Sequence, residues 1–181
     1  MATFVALLRG VNVGKANRVP MAELRALLCG LGYSKVSTLL NSGNAVFSAV
    51  NGTSAIHAAD ICAAIASQLK VAVPVIAKSA NELEAIVAEN PFNVKVSDHS
   101  RFLIAFAQDK KALSGLAVIE SLVMPPETFA VGKNAAYLDC PNGIRDSKAA
   151  LGLLGKAGKF ATTRNLATVL KLKALANDAE V

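Results

Sequence analysis

The chain has 181 residues, 53% of them hydrophobic, enough to bury a sizeable core as one ordinary domain or two small packed ones. Its formal charge of +6 comes from 19 basic and 13 acidic side chains, with two histidines and three cysteines besides. No apolar run reaches the about 18 residues of a spanning helix; the nearest, Ala55 to Leu69, contains His57, Asp60, Ser67 and Gln68. Met1 to Leu8 lacks a basic leader and a small-residue cleavage pattern, so the expected location is the cytoplasm, with no membrane partner. Cys29, Cys62 and Cys140 are odd in number and widely spaced, which argues against a disulfide framework. Neither His57 nor His99 has a second ligand at helical spacing, so neither a metal nor any other cofactor is expected.

In chain order, Thr3 to Arg9 reads as a buried strand, followed by the loop Gly10-Val11-Asn12-Val13-Gly14-Lys15-Ala16-Asn17. Pro20 suits a helix start, and Met21, Leu24, Leu27, Leu28 and Leu31 share one helical face. Lys35 to Leu40 and Ala45 to Ala49 read as strands of a hairpin around Asn41-Ser42-Gly43-Asn44, residues that tolerate positive φ. Thr53 or Ser54 caps a helix from Ala55 to Leu69, with Ala58, Ile61, Ile65 and Leu69 turned inward. Val71 to Ala77 returns as a strand that Pro74 assigns to a sheet edge.

This βαββαβ order is the ferredoxin-like unit, with antiparallel strands and both helices on one face. Ser79 caps a bridging helix, Ala80 to Glu89, which ends at Asn90-Pro91 because a residue before proline avoids helical angles. Glu82, Glu84 and Glu89 read as its solvated side. Beyond it come a strand, Arg101 to Ala107, a helix, Lys110 to Leu122, strands at Thr128 to Val131 and Ala135 to Asp139, and helices Lys148 to Gly155 and Arg164 to Ala176. The second half thus begins β-α-β-β-α again. The expected class is α+β with two ferredoxin-like subdomains, 1–78 and 101–181, the second carrying an extra C-terminal helix, and a bridge over 79–100.

The charge is concentrated at the two ends of the sequence. Arg9, Lys15, Arg18, Arg25 and Lys35 against Glu23 give +4 over residues 1–38. Arg145, Lys148, Lys156, Lys159, Arg164, Lys171 and Lys173 against Asp146 give +6 over residues 145–173. Brought together in space, the two ends would make a positive face that attracts phosphates, nucleic acid or an acidic partner; the plain alternative is a solvated basic surface. Gly10-x-x-x-Gly14-Lys15 resembles a phosphate-binding loop, but it has one residue too few between the glycines and Ala16 where a hydroxyl would hold magnesium.

Thr162-Thr163-Arg164-Asn165 places hydroxyls, a guanidinium and free N–H groups at a helix start; the plain alternative is an N-cap by Thr163 with Arg164 on the surface. Ser147 beside Lys148 reads better as an N-cap than as a nucleophile. His57 and Asp60 read as a solvated helix face. The βαββαβ order also raises an RNA-recognition module with Phe4 and Phe47 as stacking aromatics, although the basic-glycine-aromatic run of such modules is absent.

The segments Ala6-Leu7-Leu8-Arg9-Gly10-Val11-Asn12-Val13-Gly14, Val19-Pro20-Met21-Ala22-Glu23-Leu24-Arg25, Ser42-Gly43-Asn44, Asn90-Pro91-Phe92 and Thr163-Arg164-Asn165 form an ordered set with Tyr137-Leu138 and Ser147-Lys148. The set spans essentially the whole chain and resembles the bacterial domain-of-unknown-function family numbered sixteen ninety-seven. The resemblance implies two ferredoxin-like subdomains and no established activity. The sequence departs from the usual pattern at Lys15, where a second glycine is common, and at Leu166, where tryptophan is common.

Three functional readings follow. One is a protein binding a phosphate-bearing or otherwise anionic small molecule, or nucleic acid, through Arg9, Asn12, Lys15, Arg18, Ser42, Asn44, Lys148, Arg164 and Asn165. Another is an enzyme acting on a small acidic or phosphorylated substrate, for which the sequence names no general base or nucleophile. The third is a structural or partner-binding module in which the same residues set turns and caps.

Overall fold

In the computed structural model the described residues are 1–14, 17–92, 94–95 and 98–180. The chain folds into two compact units, residues 1–83 with 172–181, and residues 84–171.

The first unit is built on β1 (Ala2–Leu8), α1 (Met21–Gly30), β2 (Ser34–Leu39), β3 (Asn44–Ala49), α2 (Ser54–Leu69) and β4 (Val75–Ser79). The strands form an antiparallel sheet in the order β2-β3-β1-β4. Side chains alternate across a strand, so Phe4, Ala6 and Leu8 of β1 and Ala45, Phe47 and Ala49 of β3 share one face. That face packs with Leu24, Leu27 and Leu28 of α1 and Ile61, Ala64 and Ile65 of α2. The other strand positions, among them Val5, Leu7, Val46 and Ile76, are buried as well. Thr53 caps α2 as expected, its hydroxyl accepting from Ile56 N at 3.4 Å. Pro74 precedes β4 at the sheet edge and delays the strand by four residues relative to the expected Val71 start.

The bridging helix α3 (Ala80–Ala88) opens with a capping box. Ser79 Oγ accepts from Glu82 N at 3.2 Å, while Glu82 Oε2 accepts from Ser79 N at 2.7 Å and from the hydroxyl of Ser54. Glu82 is therefore an anchor of the helix start.

The second unit repeats the order with β5 (Phe102–Ala107), α4 (Lys110–Gly115), β6 (Thr128–Val131), β7 (Ala136–Asp139), α5 (Lys148–Leu154) and β8 (Ala161–Asn165). Its antiparallel sheet runs β6-β7-β5-β8, the same arrangement as the first. Leu103, Ala105 and Ala107 of β5 and Ala136 and Leu138 of β7 pack with Leu113 of α4 and Ala149, Ala150 and Leu153 of α5. After Gly115 the predicted long helix tightens into a 3-10 segment, Leu116–Leu122.

The largest departure from expectation is at 161–165. This segment is a strand paired with β5, completing a full second βαββαβ unit, and the last helix, α6 (Leu166–Glu180), begins only after it. Thr163 is consequently no cap: Asn165 Oδ1 accepts from Thr168 N at 2.9 Å and takes that place. The last helix is also not confined to the second unit, because residues from Leu172 onward belong with the first, where Lys35 Nζ donates to Ala179 O at 2.9 Å.

Candidate functional site

Polar residues named from the sequence gather at one end of the first unit, where β1 runs into its loop beside the β2–β3 turn. The loop turns through left-handed backbone at Gly10 (φ 65°), Asn12 (57°), Gly14 (64°) and Asn17 (50°), a conformation open to glycine and asparagine. Asn12 closes it through Asn12 N to Asn17 O at 3.1 Å. The Asn12 amide then ties the loop to its surroundings. Nδ2 donates to Val19 O at 2.9 Å and to Asn41 O at 2.7 Å, while Oδ1 accepts from Val19 N at 2.9 Å.

The hairpin turn is equally fixed. Leu8 N donates to Gly43 O at 2.8 Å, and a Cβ on Gly43 would stand 2.6 Å from both Leu8 Cβ and Val11 Cγ2. Asn44, fully buried, donates through Nδ2 to Leu39 O and Ser42 Oγ, each at 2.9 Å. Asn12 and Asn44, expected as ligand contacts, therefore have amides engaged in the fold, Asn12 tying the loop to the hairpin turn and Asn44 bracing the turn itself.

Three other candidates remain on this end. Arg9 is half-buried with its backbone N–H donating to Pro74 O at 2.9 Å, and burial pushes its guanidinium pKa down from the usual range. Arg18 and Ser42 are exposed. Lys15 lies outside the described residues.

Within the second unit the other candidates have separate settings. Lys148 is exposed at the first position of α5, next to Ser147, whose hydroxyl accepts from Ala150 N at 3.0 Å as the predicted cap. Arg164 does not lie open on the surface. It occupies β8 opposite Ile104, its Nη1 donates to Thr162 Oγ1 at 2.9 Å and Thr163 O at 2.7 Å, and desolvation pushes its pKa down to about 10. Asn165 caps α6.

Sequence reasoning missed two polar centres. Glu89, expected on the wet side of α3, accepts at Oε1 from Asn134 N (2.8 Å), Ala135 N (3.2 Å) and the Tyr137 hydroxyl (2.9 Å), and at Oε2 from Asn134 Nδ2 (2.9 Å). The only sequence hint was its place just before the Asn90-Pro91 helix stop. His57, expected on a solvated face, is 3% exposed and packs edge-on against Phe4, Tyr33 and Phe47. Those contacts also remove Phe4 and Phe47 as a base-stacking platform, since both rings face the helices inside the core.

Two groups that could do nucleophilic chemistry, Cys140 and Ser147, are likewise taken up by the fold. Cys140 is fully buried, with its thiol pushed up to about 11 by desolvation, and Ser147 is a cap. Among the described residues no three His, Cys, Asp or Glu side chains are grouped to hold a metal ion, and no helix is long and apolar enough to cross a membrane.

Comparison with solved structures gives "conserved bacterial protein SP0830 from Streptococcus pneumoniae", similar at 25% identity and a TM-score of 0.78 over 97% of this chain and 98% of that one. Among curated proteins no sequence matches. The family described as "Protein of unknown function (DUF1697)" matches residues 1–137. With the ordered motifs of the β1 loop and hairpin inside that span, and two four-stranded units in the fold, the chain belongs to this DUF1697 family.

Proposed function

We propose that the protein binds a small anionic ligand at the loop end of its first unit, with Arg9 and Arg18 supplying charge and Ser42 a hydroxyl. The observation that carries this reading is the loop's construction: the Asn12 amide ties it to Val19 and Asn41, so cations on either side stand on a fixed frame. A frame ordered before binding lowers the entropy lost on association. An anion beside Arg9 would also favour the charged guanidinium that burial disfavours.

Calorimetry with inorganic phosphate, nucleotides and sugar phosphates tests it. At least one is expected to bind, with affinity falling about tenfold or more in Arg9→Gln and in Arg18→Gln, and weakening as salt rises. Silence across the panel, or binding that ignores both substitutions, would sink the reading.

A second reading, a structural or partner-binding module, is favoured by the occupation of Asn12, Asn44, Ser147 and Asn165 within the fold. It expects no small-molecule binding, and substitutions at Arg9 and Arg18 that leave the fold unchanged. Catalysis on a small acidic substrate has less support, because Lys148 has no identified nucleophile or base beside it and Ser147 is a cap.

A further inference from the structure

The same loop cluster exposes two large apolar side chains, Val13 at 74% and Leu40 at 56%. They are sequence neighbours of Asn12 and Asn41, which the 2.7 Å bond from Asn12 Nδ2 to Asn41 O brings together. Leu40 is disfavoured twice over: its side chain faces water, and its backbone is left-handed at φ 58°, where the Cβ of an L-residue crowds the chain. Glycine or asparagine would suit that turn position better. Strain coinciding with solvent-exposed apolar surface marks a place where stability is forgone, as at functional sites. Half-buried Arg9 and exposed Arg18 lie on the same loop as Val13, and exposed Ser42 on the same turn as Leu40.

Resting on the anion-binding reading above, we infer that the ligand is an amphiphilic anion: a charged group held by Arg9 and Arg18, carrying a short apolar group that covers Val13 and Leu40. The cations alone would suit a fully hydrated anion such as inorganic phosphate. The two exposed aliphatic side chains of the same loop and turn gain nothing from such a ligand and are desolvated by an alkyl or acyl chain.

Titration calorimetry with inorganic phosphate, hexyl phosphate and hexanol provides the test. Hexyl phosphate is expected to bind about tenfold or more tighter than inorganic phosphate, a gain matching burial of two or three methylenes. Hexanol should bind far more weakly than hexyl phosphate. Val13→Ser and Leu40→Gly should each cut the hexyl phosphate advantage several-fold while leaving inorganic phosphate within about twofold. Leu40→Gly should also raise Tm by a few degrees as left-handed strain is relieved, separating lost binding from lost folding.

Equal affinity for the two phosphates, or hexanol binding as tightly as hexyl phosphate, would overturn this inference and leave the anion-binding reading to stand on the phosphate data. Binding of none would overturn both. Given hexyl phosphate binding, co-sedimentation with phosphatidic acid vesicles assigns the amphiphile to a lipid headgroup, and failure to sediment assigns it to a free molecule; either result supports the class.

Discussion

The hydroxyl of Tyr33 lies 2.9 Å from Nδ1 of His57, inside a shell made by the rings of Phe4 and Phe47, while Nε2 of the same imidazole is buried with no hydrogen-bond partner among the described residues. Burial lowers the His57 pKa from its ordinary value, and the attraction of Asp60 only partly opposes this. The group is thus neutral in the fold and charges more readily in the unfolded chain. Its contribution to stability is complete above the unfolded pKa of about 6.5 and is lost as pH falls from there towards the lower folded value. Thermal unfolding should therefore show Tm dropping between pH 7 and 5, with a flatter profile in His57→Gln. An identical slope in that variant would remove His57 as the cause.

Glu89 gathers two backbone N–H groups and two side chains of the β6–β7 hairpin region. Glu89→Ala would take the acceptor from the Asn134 and Ala135 donors, while the Tyr137 hydroxyl keeps Ile86 O at 2.6 Å; the expected cost is about 1–2 kcal/mol, and Glu89→Gln, which retains one carbonyl oxygen, should cost less. Urea titration reads both, as a lower midpoint with an unchanged slope. A midpoint for Glu89→Ala equal to the parent would show that water satisfies those groups equally well.

Two glycines with similar backbone angles separate steric crowding from conformational cost. Gly14 (φ 64°) has nothing among the described residues within 4 Å of where a Cβ would stand, whereas the Cβ of Gly43→Ala would meet Leu8 and Val11 at 2.6 Å with φ at 77°. Gly14→Ala should cost about 1 kcal/mol for the left-handed backbone alone. Gly43→Ala should cost that plus about 1–3 kcal/mol of overpacking. Chemical denaturation of the pair gives the difference, and equal losses would contradict the close packing of the hairpin turn on β1.

The cysteines should separate by accessibility. Cys29 is exposed and should react with a thiol reagent in the folded protein, while Cys140 should react only on unfolding, being fully buried with its thiol raised to about 11. Counting modified thiols by mass spectrometry before and after denaturant checks this. Early modification of Cys140 would reveal local opening of the β7 end.

Much of the element order could be read along the chain because its signals are local. Asn41-Ser42-Gly43-Asn44 announced a hairpin, Thr53 and Ser147 announced helix starts, and Ser79 announced α3. The strand at 161–165 was illegible for a related reason: Thr-Thr-Arg-Asn satisfies the chemistry of a helix start as well as that of a short strand. The choice was made by β5, far away in sequence, whose open edge takes up the backbone groups of Ala161–Asn165.

The candidate site was legible in position more than in role. Residue type marked Asn12 and Asn44 as polar groups at strand ends, and only the folded loops show their amides committed to Val19 O, Asn41 O and Leu39 O. His57 and Glu89 were missed because the partners of their side chains lie 24 to 48 residues away, beyond any periodic pattern.

What the sequence by itself determined is the α+β class, the repeated βαββα order and the caps at Thr53, Ser79 and Ser147, all governed by interactions within a few residues. What only the tertiary structure decided is the completion of the second unit, the burial of His57, the partial burial of Arg164, and the commitment of the Asn12 and Asn44 amides to the fold. Burial and hydrogen-bond satisfaction depend on groups distant along the chain, and those meet only once the sheets have formed.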